Sequence, residues 1–170
     1  MIDLALIMAC APNVAPSTVQ AIIKVESTGN PLAVNVNKRK GVVYPLAAKF
    51  KSTVEAVNAA KEAISAGHTV DLGYMQVNSA NLARLGYTVE DMFDPCKNIK
   101  AGATVLSEFY TTALAKYGSE QVALRAALSA YNTGSFTLGF ENGYVARYTG
   151  QSLTGDSNPY TSSSVAWKKR

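Results

Sequence analysis

Pro16-Ser17-Thr18-Val19-Gln20-Ala21-Ile22-Ile23-Lys24-Val25-Glu26-Ser27 is the stretch whose reading decides the fold. Proline at its head suits the first turn of a helix, where a missing N–H costs nothing. Val19, Ile22 and Ile23 then recur at the spacing of one helical face. Glu26 falls on that same face, four residues after Ile22 and three after Ile23, where a leucine would be expected. Burial disfavours the charged form of a carboxylate, which is how a glutamate is kept protonated near neutral pH to act as a general acid. The competing reading is a glutamate at a helix end, half exposed or paired with an arginine. The helix is expected to stop near Ser27–Gly29.

Helical signals continue on both sides. A first helix is expected from Asp3 to Cys10. Ser52 and Glu55 form a capping box for a helix through Val54, Val57 and Ile64 that Gly67 stops. A short helix spans Ser79–Leu85. Asp94 caps and Pro95 opens a long helix ending at Gly118, and an alanine-rich one runs from Glu120 to Asn132 before Gly134. Two segments break the helical pattern. Pro31 to Pro45, with Val34, Val36, Val42 and Val43 flanking a polar Asn37–Gly41 tip, reads as a short β-hairpin, and Thr69 to Asn78 shows no periodicity. From Gly150 onward Gly, Ser, Thr, Asn and Pro dominate, so a disordered tail is expected over 150–170, with one domain over 1–149.

With 48% hydrophobic and 16% charged residues, the 170-residue chain has the profile of an ordinary globular core. Its net charge of +4 and pI near 9.0 read as cations spread along the chain, without the basic clusters that track phosphates, so nucleic acid is not the expected substrate. Cys10 and Cys96 lack zinc-site spacing, and no metal or cofactor is expected. Either they pair or they are inert core thiols. In an oxidising compartment pairing is the expectation, and closing so long a loop would contribute about 4–5 kcal/mol in the chain-entropy model. The apolar stretch Met1–Cys10 has no basic residues before it and is far shorter than a bilayer span, so it reads neither as a signal peptide nor as a membrane anchor.

Two further segments carry side chains suited to a sugar, which offers hydroxyl and acetamido groups and an apolar ring face. In Asp71-Leu72-Gly73-Tyr74-Met75-Gln76-Val77-Asn78, Gly73 permits a close backbone approach while Tyr74, Met75, Gln76 and Asn78 mix apolar surface with amides. A glycine turn followed by a methionine core plug would look similar. Ala130-Tyr131-Asn132-Thr133-Gly134 ends the alanine-rich helix, and alone it is an ordinary helix ending. His68, the single histidine, reads as a loop residue, Asn37–Lys40 as a solvated hairpin tip, and Trp167–Arg170 as a chain end.

Taken in order, Glu26-Ser27, Gly73-Tyr74-Met75-Gln76 and Ala130-Tyr131-Asn132-Thr133-Gly134 resemble the lysozyme-like lytic transglycosylases, whose patterns are Glu-Ser, Gly-Leu-Met-Gln and Ala-Tyr-Asn-Ala-Gly. Cys10-Ala11-Pro12, Gly67-His68, Phe93-Asp94-Pro95-Cys96-Lys97-Asn98 and Asn142-Gly143-Tyr144-Val145 are similar to the peptidoglycan-cleaving component of type IV secretion systems. The resemblance covers roughly residues 10–148. It implies an α+β, mainly helical lysozyme-like fold with a small β-hairpin beside the active-site cleft. Glu26 would be the sole catalytic carboxylate. Ser27, Gly73, Tyr74, Met75, Gln76, Asn78, Tyr131 and Asn132 would bind sugar, and Tyr144 would hydrogen-bond near the glutamate. Tyr74 in place of leucine and Thr133 in place of alanine bear on subsite preference. The implied reaction forms 1,6-anhydro-muramic acid from peptidoglycan glycan strands, in the periplasm, by a monomer working with type IV secretion subunits. Two alternatives stand beside it: a muramidase-type hydrolase with Asp71 as second carboxylate, and a wall-binding assembly scaffold that does not cleave.

Overall fold

The computed structural model describes residues 2–39, 41–46 and 49–149, which excludes the tail expected to be disordered. The chain divides into two compact units, Met1–Ala103 and Thr104–Arg170, and each is described by itself.

The first unit opens with α1 (Leu4–Cys10), capped by the Asp3 carboxylate accepting from Ala5 N, and α2 (Pro16–Ser27), which packs on α1. Strand β1 (Val34–Val36) follows, then α3 (Thr53–Ser65), β2 (Val70–Leu72) and β3 (Val77–Asn78). A 3₁₀ turn (Ser79–Asn81) leads into α4 (Leu82–Leu85), and a second (Glu90–Phe93) precedes α5 (Pro95–Tyr117), which runs on into the second unit. The helix punctuation follows the sequence closely. Ser52 Oγ accepts from Glu55 N at 3.2 Å, although the Glu55 carboxylate closes its cap on Lys51 N instead of Ser52 N. Asp94 Oδ1 accepts from Lys97 N at 2.8 Å at the head of α5. Cys10 and Cys96 form a disulfide, their Cα atoms 5.3 Å apart, which joins α1 to the first turn of α5.

The β structure differs from the expected hairpin. The sheet has three antiparallel strands in the order β1-β2-β3, with Val34 opposite Leu72, Val36 opposite Val70, and Leu72 opposite Val77. Val34–Val36 therefore pairs with the segment that showed no periodicity, and among the described residues an isolated Arg39–Val42 bridge is what remains of the hairpin. The reason is burial. Val70 and Leu72 are wholly buried in a sheet whose first two strands α3 touches, whereas Val42 and Val43 are 61% and 66% exposed and would gain little by pairing.

The second unit holds the rest of α5, then α6 (Glu120–Thr133), α7 (Leu138–Glu141) and α8 (Ala146–Thr149). Ala113, Ala123 and Ala126 form its buried centre, with Tyr110, Leu114, Tyr117 and Phe136 packed around them. Small alanines let α5 and α6 approach, and the aromatic rings close over them. Wholly buried Ser129 of α6 donates to Ser135 O at 2.6 Å and accepts from Gly139 N at 2.8 Å, which fastens the start of α7.

Candidate active site

Glu26 lies on the last turn of α2, half-buried, with Ile22 and Ile23 of the same face 0% and 3% exposed. The helix stops abruptly one residue later. Ser27 is buried, its hydroxyl donating back to Ile23 O at 3.1 Å and accepting from Gly29 N at 3.3 Å. Thr28 takes the left-handed conformation, at φ 53°. A β-branched residue there is strained, at a cost of about 1–3 kcal/mol. Its effect is to end the helix before the chain can carry Glu26 into a further turn.

The second segment makes a turn between β2 and β3 that is strained in the same manner. Gln76 sits at φ 49°, and it and Thr28 are the two non-glycine residues at positive φ among the described residues. Both stand in segments that the sequence singled out. The Gln76 carboxamide holds its own turn, its Nε2 donating to Gly73 O at 2.9 Å and to Ala33 O at 3.2 Å, while Ala33 O also accepts from Gly73 N at 2.8 Å. With both N–H groups committed, the group Gln76 can offer a ligand is its Oε1 acceptor. Tyr74 is half-buried beside it. Met75 is fully buried and lies beneath the turn rather than on its surface.

Asn98, to which the sequence reading gave no role, pins this turn from below. Only 1% exposed, it donates through Nδ2 to Leu72 O at 2.8 Å and Met92 O at 2.9 Å, and its Oδ1 accepts from Met75 N at 2.8 Å. Gly73 lies against it at φ 70°, so close that a Cβ there would collide with the Asn98 carboxamide and the Met92 carbonyl oxygen. Gly73 is therefore required twice, by its φ and by this approach. A polar residue on a buried helical stripe, with Gly102 and Val105 following at i+4 and i+7, is the signal that could have found Asn98.

Asp71 lies on the opposite face of β2 from Val70 and Leu72, in a polar rung across the sheet where Asn35 and Asn78 are its partners in register. Its Oδ1 accepts from Asn78 Nδ2 at 2.7 Å and its Oδ2 from Asn37 Nδ2 at 3.0 Å. Burial raises its pKa, and the amides of Asn78, Asn37 and Asn35 oppose that rise. Asn78 also caps the 3₁₀ turn, accepting from Ala80 N at 3.0 Å. Asn37 continues the network, its carbonyl 2.9 Å from His68 Nδ1.

In the second unit Tyr131 is half-buried and Asn132 exposed at the end of α6, which Gly134 closes in the left-handed conformation. Asn132 Oδ1 accepts from Asn142 Nδ2 at 3.1 Å, and Asn142 Oδ1 accepts from Tyr144 N at 2.9 Å. One amide thus links the two segments. Tyr144 is buried, its hydroxyl 2.6 Å from that of Tyr148. Among the described residues there is no cluster of three or more His, Cys, Asp or Glu that could hold a metal.

Residues 3–153 match the family model described as the transglycosylase SLT domain. Over 139 residues the chain is 44% identical to the type IV secretion system protein virB1 of Brucella suis biovar 1, covering 81% of this chain and 56% of that protein. Over 138 residues it is 40% identical to protein virB1 of Agrobacterium fabrum strain C58, covering 81% and 54% respectively. Protein virB1 of Rhizobium radiobacter is 38% identical over a similar stretch. The chain spans little more than half the length of these relatives. No solved structure matches significantly.

Proposed function

The chain belongs to the transglycosylase SLT domain family, and on that premise we propose that it is a lytic transglycosylase cutting the β-1,4 bond between N-acetylmuramic acid and N-acetylglucosamine in peptidoglycan. Glu26, protonated, gives its proton to the bridging oxygen as the bond to the muramoyl C1 breaks. The sugar's own N-acetyl group shelters the developing cation. Ionised Glu26 then takes the proton of the 6-hydroxyl, whose oxygen closes on C1 as a 1,6-anhydro ring. No water is consumed, and one carboxylate serves both proton transfers where hydrolases use two. The observation that carries this reading is the half-buried Glu26 held at a strained helix end in a chain matched by the family over residues 3–153.

Tyr74, Gln76 and Asn78 are assigned to sugar contact, with Ser27, Gly73 and Met75 shaping the backbone that presents them. In the second unit Tyr131 and Asn132 are given the same role by resemblance to the family, and Tyr144 keeps the hydrogen-bonding role that the resemblance implies. The hydrolytic alternative asks Asp71 to act as nucleophile or base. Both its oxygens already accept amides across the sheet, which favours a strand-tying role instead.

Relatives named as type IV secretion system proteins lead us to place the reaction in the periplasm, opening the wall locally for assembly of such a system. The Cys10–Cys96 disulfide suits that oxidising compartment, and among the described residues no helix is long and apolar enough to cross a membrane. Mass spectrometry of digested sacculi tests the chemistry. Products lighter by one water than the reducing muropeptides are expected, and reducing ends would overturn the reading. Glu26→Gln should abolish release while the protein still sediments with sacculi, whereas full release by that variant would remove Glu26 from the mechanism.

A further inference from the structure

The positive charge of this chain is not spread evenly, as its composition suggested. Residues 38–51 hold five of the sixteen Lys and Arg residues and none of the twelve Asp and Glu, so the rest of the chain has eleven cations against twelve carboxylates. Lys38, Arg39, Lys49 and Lys51 are all exposed. Elsewhere Lys61 pairs with Glu90 and Lys97 with Asp91, but none of these four makes an ion pair among the described residues. The segment is also anchored where it leaves β1. Asn37 N donates to Thr69 O at 2.9 Å, Arg39 Nη1 to Ala66 O at 3.4 Å, and the Tyr44 ring meets His68 edge-on with centroids 5.3 Å apart.

Distance along the strand suggests what these cations meet. Gln76 Nε2 is bonded to Ala33 O, immediately before β1, and Lys38 stands five residues further on. At ~3.3 Å per extended residue that is ~16 Å. An extended stem peptide of about five residues, hanging from a muramoyl sugar near Gln76, reaches about the same distance. Such stems carry free carboxylates along their length and at their end. We propose that Lys38 and Arg39 form a receptor for the carboxylates of peptidoglycan stem peptides, so that the protein prefers peptide-bearing strands to naked glycan. This rests on the peptidoglycan reading above.

The test compares soluble peptide-bearing glycan strands, freed of their cross-links by an endopeptidase, with the same strands stripped of their stems by an amidase, measuring both binding of the full chain in solution and release of products. The unaltered protein should bind and cleave peptide-bearing strands about 3- to 10-fold better, as expected for one or two exposed ion pairs, and lose that advantage at high salt, where the Debye length falls to about 3 Å. Lys38→Gln/Arg39→Gln should lose the preference and act on stripped strands as before, while Lys61→Gln/Lys116→Gln, which removes the same charge elsewhere, should keep it. Equal treatment of both substrates by the unaltered protein overturns the proposal. So does a Lys38→Gln/Arg39→Gln variant that weakens on both substrates alike, or one that keeps its preference for peptide-bearing strands but loses retention on phosphatidylglycerol vesicles. Absence of cleavage from both substrates counts against the transglycosylase reading alone, because binding in solution still reports the stem contact.

Discussion

Asn98 in the first unit and Ser129 in the second each hold a stretch of chain from within a helix, and each is pressed against a glycine, Gly73 or Gly139, that could not take a side chain. The means differ. The Asn98 carboxamide makes three bonds, to the end of β2, to the turn after it and to the 3₁₀ turn Glu90–Phe93, at a glycine in the left-handed region. The Ser129 hydroxyl makes two bonds, and one of its partners, Ser135 O, has a second donor in Thr133 Oγ1 at 3.0 Å. One clasp ties a candidate substrate turn at three backbone atoms, and the other fastens a short helix with a spare donor. On the proposed reading, a turn that presents fixed groups to a sugar would need the first arrangement.

Substitutions can break this contrast, beginning where the effect is greatest. Gly73→Ala combines a left-handed φ with collisions against a carbonyl and a buried amide, neither of which is the free end of a flexible chain, and it should cost more than about 3 kcal/mol in denaturant unfolding. Asn98→Ala should cost about 3 kcal/mol by stranding buried backbone groups, and it should lower cleavage at least about tenfold at a temperature where the variant remains folded, because the turn is no longer fixed. Asn98→Asp keeps the acceptor for Met75 N but loses both donors, so it should not rescue. Normal cleavage by that variant would show that the donors to Leu72 O and Met92 O are unimportant. Ser129→Ala should cost only about 1 kcal/mol and leave cleavage within about threefold, since Thr133 still serves Ser135 O.

Asp71 gives the smallest effect and sharpens the comparison, because its two carboxylate oxygens accept from the side-chain amides of Asn78 and Asn37 rather than bonding the backbone. Its pKa is raised chiefly by burial, so the folded state holds the proton more tightly than the unfolded chain does. The resulting penalty is absent below the ordinary carboxylate range and grows as pH rises through the folded-state value. Asp71→Asn should therefore gain stability relative to the unaltered protein between about pH 3 and about pH 7, with cleavage within a few-fold. Thermal unfolding across that range checks the sign, and loss of cleavage by about a hundredfold or more would restore the second-carboxylate reading.

The helices of seven residues or more were legible because their signals are local, while the single turns Glu90–Phe93, Leu138–Glu141 and Ala146–Thr149 were not expected. Asp3, Ser52, Asp94, Pro16 and Pro95 mark starts, and Gly67, Gly118 and Gly134 mark stops, within a residue or two of where the elements begin and end. The sheet was not. Strands of three and two residues have no period to detect, and β1 found its partner 34 positions away, across a helix, where burial decided the pairing. Glu26 stood out as a carboxylate on an apolar stripe. Asn98 carried the same mark within a quoted motif and went unread, because nothing local says that the stripe faces the backbone of a turn rather than another helix. The concentration of cations in residues 38–51 lies in the sequence but was passed over there as charge spread along the chain, and only the pairing of β1 with β2 shows where Lys38 and Arg39 leave the sheet.

The disulfide stands two residues before Asn98, and this bears on how the first unit opens. The cross-link closes a loop of sequence separation 86 that contains α2, the whole sheet, α3 and α4. Without it, α1 is a helix of only seven residues, the sort of element that opens at little cost. With it, α1 cannot leave unless the first turn of α5 follows, and with that turn goes the carboxamide beneath Gly73. Amide hydrogens of α1 and of the Gly73–Gln76 turn should then exchange as one cooperative unit in the oxidised protein and as two in the reduced one.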